Sequence, residues 1–217
     1  MLTGPFIIPD STTLKAAIIL LHGFGSDGQD LISLAPMLDA ALPTAYQQHV
    51  AYFSPNALQP TPFGQGYQWF SDNNWTFRDK PGIENAGTEL KAYIEKEVIS
   101  ELKLNWSQVF VLGFSQGGMV ALHNVPHWGM PAAGLIGHST ALMWPEHISN
   151  GVSTDTPVLL LHGTEDDVVP ADATVQANQV FTDAGFSVQY NLLPNLGHGI
   201  NQEGIQHIAD FITKNLE

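Results

Sequence analysis

The sequence predicts an α/β fold, a mostly parallel central sheet flanked by helices, and three observations lead there. Short runs rich in Val, Ile, Leu or Phe recur along the chain, each long enough for one buried strand. Stretches with apolar residues at helical spacing lie between them. No repeat, low-complexity tract or linker separates one part from another, so the 217 residues read as a single domain, 1–217. Strands that alternate with helices run parallel and need cover on both sheet faces.

Taken in order, the expected strands are Ala16–Leu21, Val50–Phe53, Val109–Leu112, Val158–Leu161 and Ser187–Leu193. The first expected helix, Asp30–Leu42, carries Leu31, Leu34, Ala35, Leu38 and Leu42 on one stripe. The second, Asn85–Leu102, aligns Ala86, Leu90, Tyr93, Ile94, Val98 and Leu102 in the same way. A third begins near Asn201 and presents Ile205, Ile208, Ala209, Ile212 and Leu216. Pro60–Gly82 stands apart. Its prolines and glycines punctuate it as loop, yet it holds Phe63, Tyr67, Trp69, Phe70, Trp75 and Phe77. Such a loop either plugs back onto the core or walls an apolar groove, and composition favours the plug.

Composition excludes several classes. The chain has no cysteine, which removes disulfides, thiolate metal sites and a thiol nucleophile. Lys and Arg number 7 against 21 Asp and Glu, a net charge of −14 that repels phosphate backbones and anionic lipid. Nucleic acid is therefore not an expected partner. A chain of this length buries roughly 70% of its unfolded surface, enough for a core without staples. No basic leader precedes an apolar stretch at the N-terminus, and the longest apolar run, Ala16–Leu21, falls far short of the roughly 18 residues of a membrane span. The expectation is a cytoplasmic protein with no stable membrane insertion.

The strongest local signal is Gly113-Phe114-Ser115-Gln116-Gly117, a G-x-S-x-G string directly after one expected strand and before a helix-forming stretch, Gly118–Leu122. A nucleophile elbow needs that context, because the serine is strained and side chains two residues to either side would collide. A hydroxyl is a poor nucleophile at neutral pH, so Ser115 needs a base, and the base needs an orienting acid. His162 to Pro170 follows the strand Val158–Leu161 and offers Asp166 and Asp167 at its C-terminal end, the ligand side of an open α/β sheet. Gly197-His198-Gly199 follows the last strand, in the order serine, acid, histidine. Spacing does not choose between the two aspartates. The N–H of Gln116 is one candidate oxyanion donor, and that of Phe24, in His22-Gly23-Phe24-Gly25 after the first strand, is the other.

Two rival readings fail. Gly23 to Gly28 is a formal G-x-G-x-x-G, but Asp30 and Asp39 are the only acids from Gln29 to Ser71, and the second strand ends without one for a ribose. The nine histidines show no metal-ligand spacing, since Pro126 interrupts the helix that would align His123 with His127. His22, His49, His138, His147 and His207 lack clustered partners in the sequence. Neither metal nor cofactor is expected.

Leu21-His22-Gly23-Phe24-Gly25-Ser26-Asp27-Gly28, Gly113-Phe114-Ser115-Gln116-Gly117-Gly118, His162-Gly163 through Pro170, and Gly197-His198 together resemble the phospholipase/carboxylesterase family, over nearly the whole chain. The resemblance implies an α/β-hydrolase fold without a large cap domain and a Ser115–Asp166–His198 triad. It also implies oxyanion donors at Phe24 and Gln116. Asp166 matches the family's acid, a choice that spacing did not make. The family's W-F pair, beside its acyl groove, falls on Trp69-Phe70 and turns the expectation for that loop from plug to groove wall, with both residues substrate-binding. Ile136-Gly137-His138-Ser139-Thr140 departs from the pattern, with histidine and threonine where many relatives read serine–glycine. The implied activity is hydrolysis of carboxylic esters or thioesters through an acyl-enzyme. Carboxylesterase is the leading expectation; lysophospholipase and acyl-protein thioesterase, the latter with an S-acylated protein as partner, are the alternatives. A non-catalytic ligand-binding protein of the same fold is the rival of another class.

Overall fold

The alternation of apolar runs and helical stripes produces a seven-stranded sheet. The computed structural model describes residues 2–11, 13–71, 79–148 and 152–216. The strands are β1 (Phe6–Ile7), β2 (Ala16–Leu21), β3 (Val50–Phe53), β6 (Val109–Phe114), β7 (Gly134–His138), β8 (Val158–Gly163) and β9 (Val188–Leu193). Two further short strands, β4 (Gln59–Pro60) and β5 (Tyr67–Gln68), form a separate antiparallel hairpin. The sheet order is β1-β3-β2-β6-β7-β8-β9, parallel throughout except for the edge pair β1–β3.

Side-chain alternation explains the double cover. In β2, Ala17, Ile19 and Leu21 join one core and Ala16, Ile18 and Leu20 the other; in β6, Val109 and Val111 face Phe110 and Leu112 across the sheet. The first core is closed by α3 (Lys80–Tyr93), α4 (Gln116–Asn124) and α5 (Asp172–Asp183). The second is closed by α1 (Gly28–Ile32), α2 (Ala35–Ala41) and α6 (Gln202–Leu216). Each fully buried Leu or Ile contributes roughly 1.5–3 kcal/mol, so the two cores dominate stability.

Several elements differ from the sequence expectation. Asp30–Leu42 is two helices rather than one: Pro36 has no N–H for the carbonyl four residues back and sits in the first turn of α2. α3 starts five residues before the expected Asn85, since Pro81 fits a first helical turn and the Asp79 side chain caps it by accepting from Gly82 N at 3.0 Å. Its continuation, Ile94–Ser100, widens into a π-helix. β7 and α5 had no counterpart among the expected elements.

The chain leaves β2 toward β3 and later returns to β6 on the other side of β2. The C-terminal ends of β2 and β6, where Leu21 pairs with Gly113, are therefore a topological switch point, and open α/β sheets hold their ligands at such a crevice.

Candidate active site

Ser115 lies at that point, between β6 and α4, with φ 52° and ψ −119°. A non-glycine residue in this region is strained, and the strain persists only where the surroundings over-determine it. They do so here. Ser115 N donates to His138 O at 3.0 Å, and the Thr140 hydroxyl donates to Ser115 O at 2.7 Å. A β-carbon on Gly113 would run into the backbone of Gly118, and one on Gly117 into the carbonyl of Leu21. Thr140 is thus a support for the elbow that sequence reasoning did not assign; its place in the departing His138-Ser139-Thr140 segment was the available signal.

β8 and the loop after β9 supply the opposite side. His198 Nδ1 lies 2.8 Å from Asp166 Oδ2, with the carboxylate buried and the imidazole 18% exposed. Asp167 is exposed and takes no part in this contact. Burial pushes the Asp166 carboxyl up, but the Val169 amide, His198 and the Val168 amide together outweigh it and hold the group below its ordinary value. The Phe114 ring packs 4.9 Å from the His198 ring and brings the imidazole beside the elbow. An acid bonded to Nδ1 leaves Nε2 as the nitrogen free to take a proton.

The β4–β5 hairpin and the two residues after it tie the loop that carries Phe24 to the start of α4. Gln116 begins α4, where the helix dipole favours negative charge. Phe24 follows Gly23, where an added β-carbon would stand 3.3 Å from Ser115 Cβ, so this loop abuts Ser115. Gly25 N donates to Tyr67 O at 3.0 Å, and Tyr67 N donates to Ser26 O at 2.8 Å. The Trp69 indole donates to His22 O at 2.9 Å. Trp69 N donates to Gln116 Oε1 at 2.9 Å, and Gln116 Nε2 donates to Phe70 O at 3.0 Å.

These bonds place Trp69 and Phe70, the residues expected to wall a groove, against the loop after β2 and the start of α4. Their side chains are 1% and 0% exposed and lie within the core, where they offer no open apolar wall. The pair ties the loop after β2 to Gln116. Trp75 and Phe77, the other aromatics expected near this groove, lie outside the described residues.

Tertiary structure also gathers histidines that the sequence left scattered. His138 and His162, both fully buried, lie near Asp166 and His198. Burial first, then the neighbouring imidazoles, push His138 down to about 3. His123, His127 and His147 form a second group beside Trp144. Among the described residues no group of three His, Cys, Asp or Glu is placed to hold a metal ion, and no helix is long and apolar enough to cross a membrane.

A mostly parallel sheet with a strained serine at its switch point and a histidine–carboxylate pair beside it defines the α/β-hydrolase class. A family model described as Phospholipase/Carboxylesterase matches residues 2–216, and the chain belongs to that family. It is 27% identical to acyl-protein thioesterase 1 of Saccharomyces cerevisiae, with 93% of each chain covered. It is 30% identical to a probable carboxylesterase of Oryza sativa subsp. japonica, covering 94% of this chain and 79% of that one. The crystal structure of esterase PE8 superposes with a TM-score of 0.87 at 30% identity, over 98% of both chains. The chain is an ester hydrolase of the α/β-hydrolase fold.

Proposed function

We propose that the protein is a serine carboxylesterase acting through an acyl-enzyme. His198 takes the Ser115 proton as Oγ attacks the ester carbonyl, while Asp166 orients the ring and stabilises the imidazolium. The N–H groups of Phe24 and Gln116 hold the oxyanion. His198 then hands the proton to the leaving alcohol, and water activated by the same histidine releases the acid. The observation that carries this reading is the 2.8 Å contact between His198 Nδ1 and the buried Asp166 carboxylate, which selects the tautomer with a basic Nε2. Trp69 and Phe70 brace the oxyanion side from within the core. With those two side chains withdrawn from the expected groove, short acyl groups are the favoured substrates. The likeness to a yeast acyl-protein thioesterase supports a second reading, in which the acyl group is carried by a protein or lipid.

The deciding experiment is initial rates on p-nitrophenyl esters of about two to sixteen carbons, with Ser115→Ala as the blank. An optimum at short chains supports the carboxylesterase; an optimum at long chains replaces it with the second reading. Trp69→Phe separates brace from groove wall, since it keeps a buried ring and removes the indole donor. A brace predicts that all chain lengths slow by one common factor, several-fold in line with a lost hydrogen bond of about 1 kcal/mol. A wall predicts a displaced optimum instead.

A further inference from the structure

His198 is only one of the groups around Asp166. The amides of Val168 and Val169 donate to Oδ1 at 3.0 and 2.9 Å, and His198 Nδ1 sits 2.8 Å from Oδ2. The Nε2 atom of His162 lies 3.1 Å from that same Oδ2. The His162 ring is fully buried, and both of its nitrogens are engaged: Nε2 is 2.8 Å from Val169 O, and Nδ1 is 2.7 Å from Thr174 Oγ1. A carbonyl and a carboxylate only accept, so Nε2 must carry a proton. The Thr174 hydroxyl can donate or accept and matches whatever Nδ1 presents.

One N–H therefore does two things. It anchors the carbonyl of Val169, whose amide holds Oδ1, and it turns the positive edge of the ring toward Oδ2. We infer that His162 is a positioning residue for the hydrolysis, fixing the Asp166 carboxylate in the orientation that aims His198 at Ser115. This rests on the reading of Ser115, Asp166 and His198 as a triad. With His162 in place, the carboxylate cannot rotate without disturbing the turn at residues 166–169. Without it, Oδ2 is held by His198 alone, and the acid and base can swing together. The base then keeps its partner and loses its direction.

The test compares His162→Leu, His162→Gln and Thr174→Val with wild type, each rate divided by the serine titrated to completion with a fluorophosphonate, so that unfolded protein is not counted. His162→Leu is expected to lower kcat by about ten- to a hundredfold, the scale of a small misplacement in a catalytic geometry, with KM unchanged. The acidic limb of its kcat/KM profile should move to higher pH, because a carboxylate with one donor fewer is more basic and holds the proton on the neighbouring imidazole more firmly. His162→Gln restores an N–H near the position of Nε2 and should recover most of the rate. Thr174→Val leaves the ring in place and unties Nδ1, so its loss should be intermediate and confined to kcat. A wild-type kcat per titrated serine in His162→Leu overturns the inference. So does an equal loss in the Leu and Gln variants with the limb unmoved. Where His162→Leu yields no folded protein, Thr174→Val decides, and an undiminished kcat in that variant overturns the inference. Wild-type turnover that survives Ser115→Ala is the failure of the triad reading itself; it is visible before any His162 variant is made and removes this inference with it.

Discussion

His162 and His198 converge on the buried carboxylate of Asp166, whereas His123, His127 and His147 converge on one another. In the second group the ring centroids are 5.1, 5.8 and 6.4 Å apart, with the Trp144 indole 5.3 Å from His123. In the first, both imidazoles lie within 3.1 Å of one carboxylate oxygen. In the second, Nδ1 of the buried His123 has no hydrogen-bond partner among the described residues. Burial, then His147, His127 and Lys80, push His123 down to about 4, against a smaller pull from Glu146. Burial and then His147 also lower His127, with Glu84 opposing. The same side chain thus sits where a charge would be paired in one place and where it would not be in the other. The partner at hydrogen-bond distance decides which, since a low-dielectric interior rewards a paired charge and penalises an unpaired one.

The largest expected difference between the regions is catalytic. Asp166→Asn should cost roughly ten-thousandfold in kcat through the wrong tautomer of His198, while Asp167→Asn, its exposed neighbour, should leave turnover nearly unchanged. Steady-state kinetics with an activated ester measure both, and a dead Asp167→Asn would move the acid to the other residue. Ser115→Ala belongs beside it, with a loss of up to about a millionfold if the parallel with subtilisin holds. His123→Gln or His147→Gln, by contrast, should leave kcat within about twofold of wild type, because neither ring contacts Ser115, Asp166 or His198.

The next difference is in acid stability, and the two regions should fail in different windows. His123 sits at about 4 in the folded chain, below its ordinary 6.5, so the unfolded chain takes up the proton first. Its contribution is therefore complete above pH 6.5 and is lost as pH falls through 4, up to about 3 kcal/mol. His138, at about 3, extends the same loss to lower pH. Asp166 has the opposite charge change: its folded value lies below the ordinary 3.8, so its contribution holds above that pH and is lost only below it. Urea denaturation at a series of pH values should show a decline that begins near pH 6.5. His123→Phe should make the part between 6.5 and 4 shallower, leaving the share of His138 there, and keep the lower part intact. A wild-type stability constant from pH 7 to 4 would refute the buried neutral histidine.

The smallest effect concerns the neighbours within the second group. His147→Asn removes the imidazole that ranks after burial in holding His123 down, and should let its titration midpoint rise by less than about one unit, a change of about 1 kcal/mol or less. NMR titration of the ring protons of His123 reads this directly. No movement would mean that burial acts alone.

Much of the fold was legible because its signals are local. Ala16–Leu21 and Val50–Phe53 form strands with the expected bounds, and the stripe after Asn201 becomes α6. β7 was not legible, because Gly134 and Gly137 dilute its apolar run. Their role is close approach: a β-carbon at Gly134 would crowd the Phe211 and Phe110 rings, and one at Gly137 the Thr140 side chain. Only the packed helices reveal that need. The single stripe of Asp30–Leu42 concealed a break, since periodicity registers which face is apolar and not which amide can bond. The elbow was legible from its own string, because the collision it avoids lies within five residues.

Sequence by itself determined the alternating architecture, the two-faced core and the strained serine, for these depend on steric and hydrophobic patterns a few residues long. It also limited the acid to two adjacent carboxylates. Tertiary structure alone decided what each polar side chain meets. It set Asp166 against His198 and His162, drew His147 up to His123 and His127 beside Trp144, and turned Trp69 and Phe70 inward beneath the loop after β2. Those outcomes depend on hydrogen bonds and ring contacts made mostly between different elements, and their energy exists only once the sheet has brought the partners within reach.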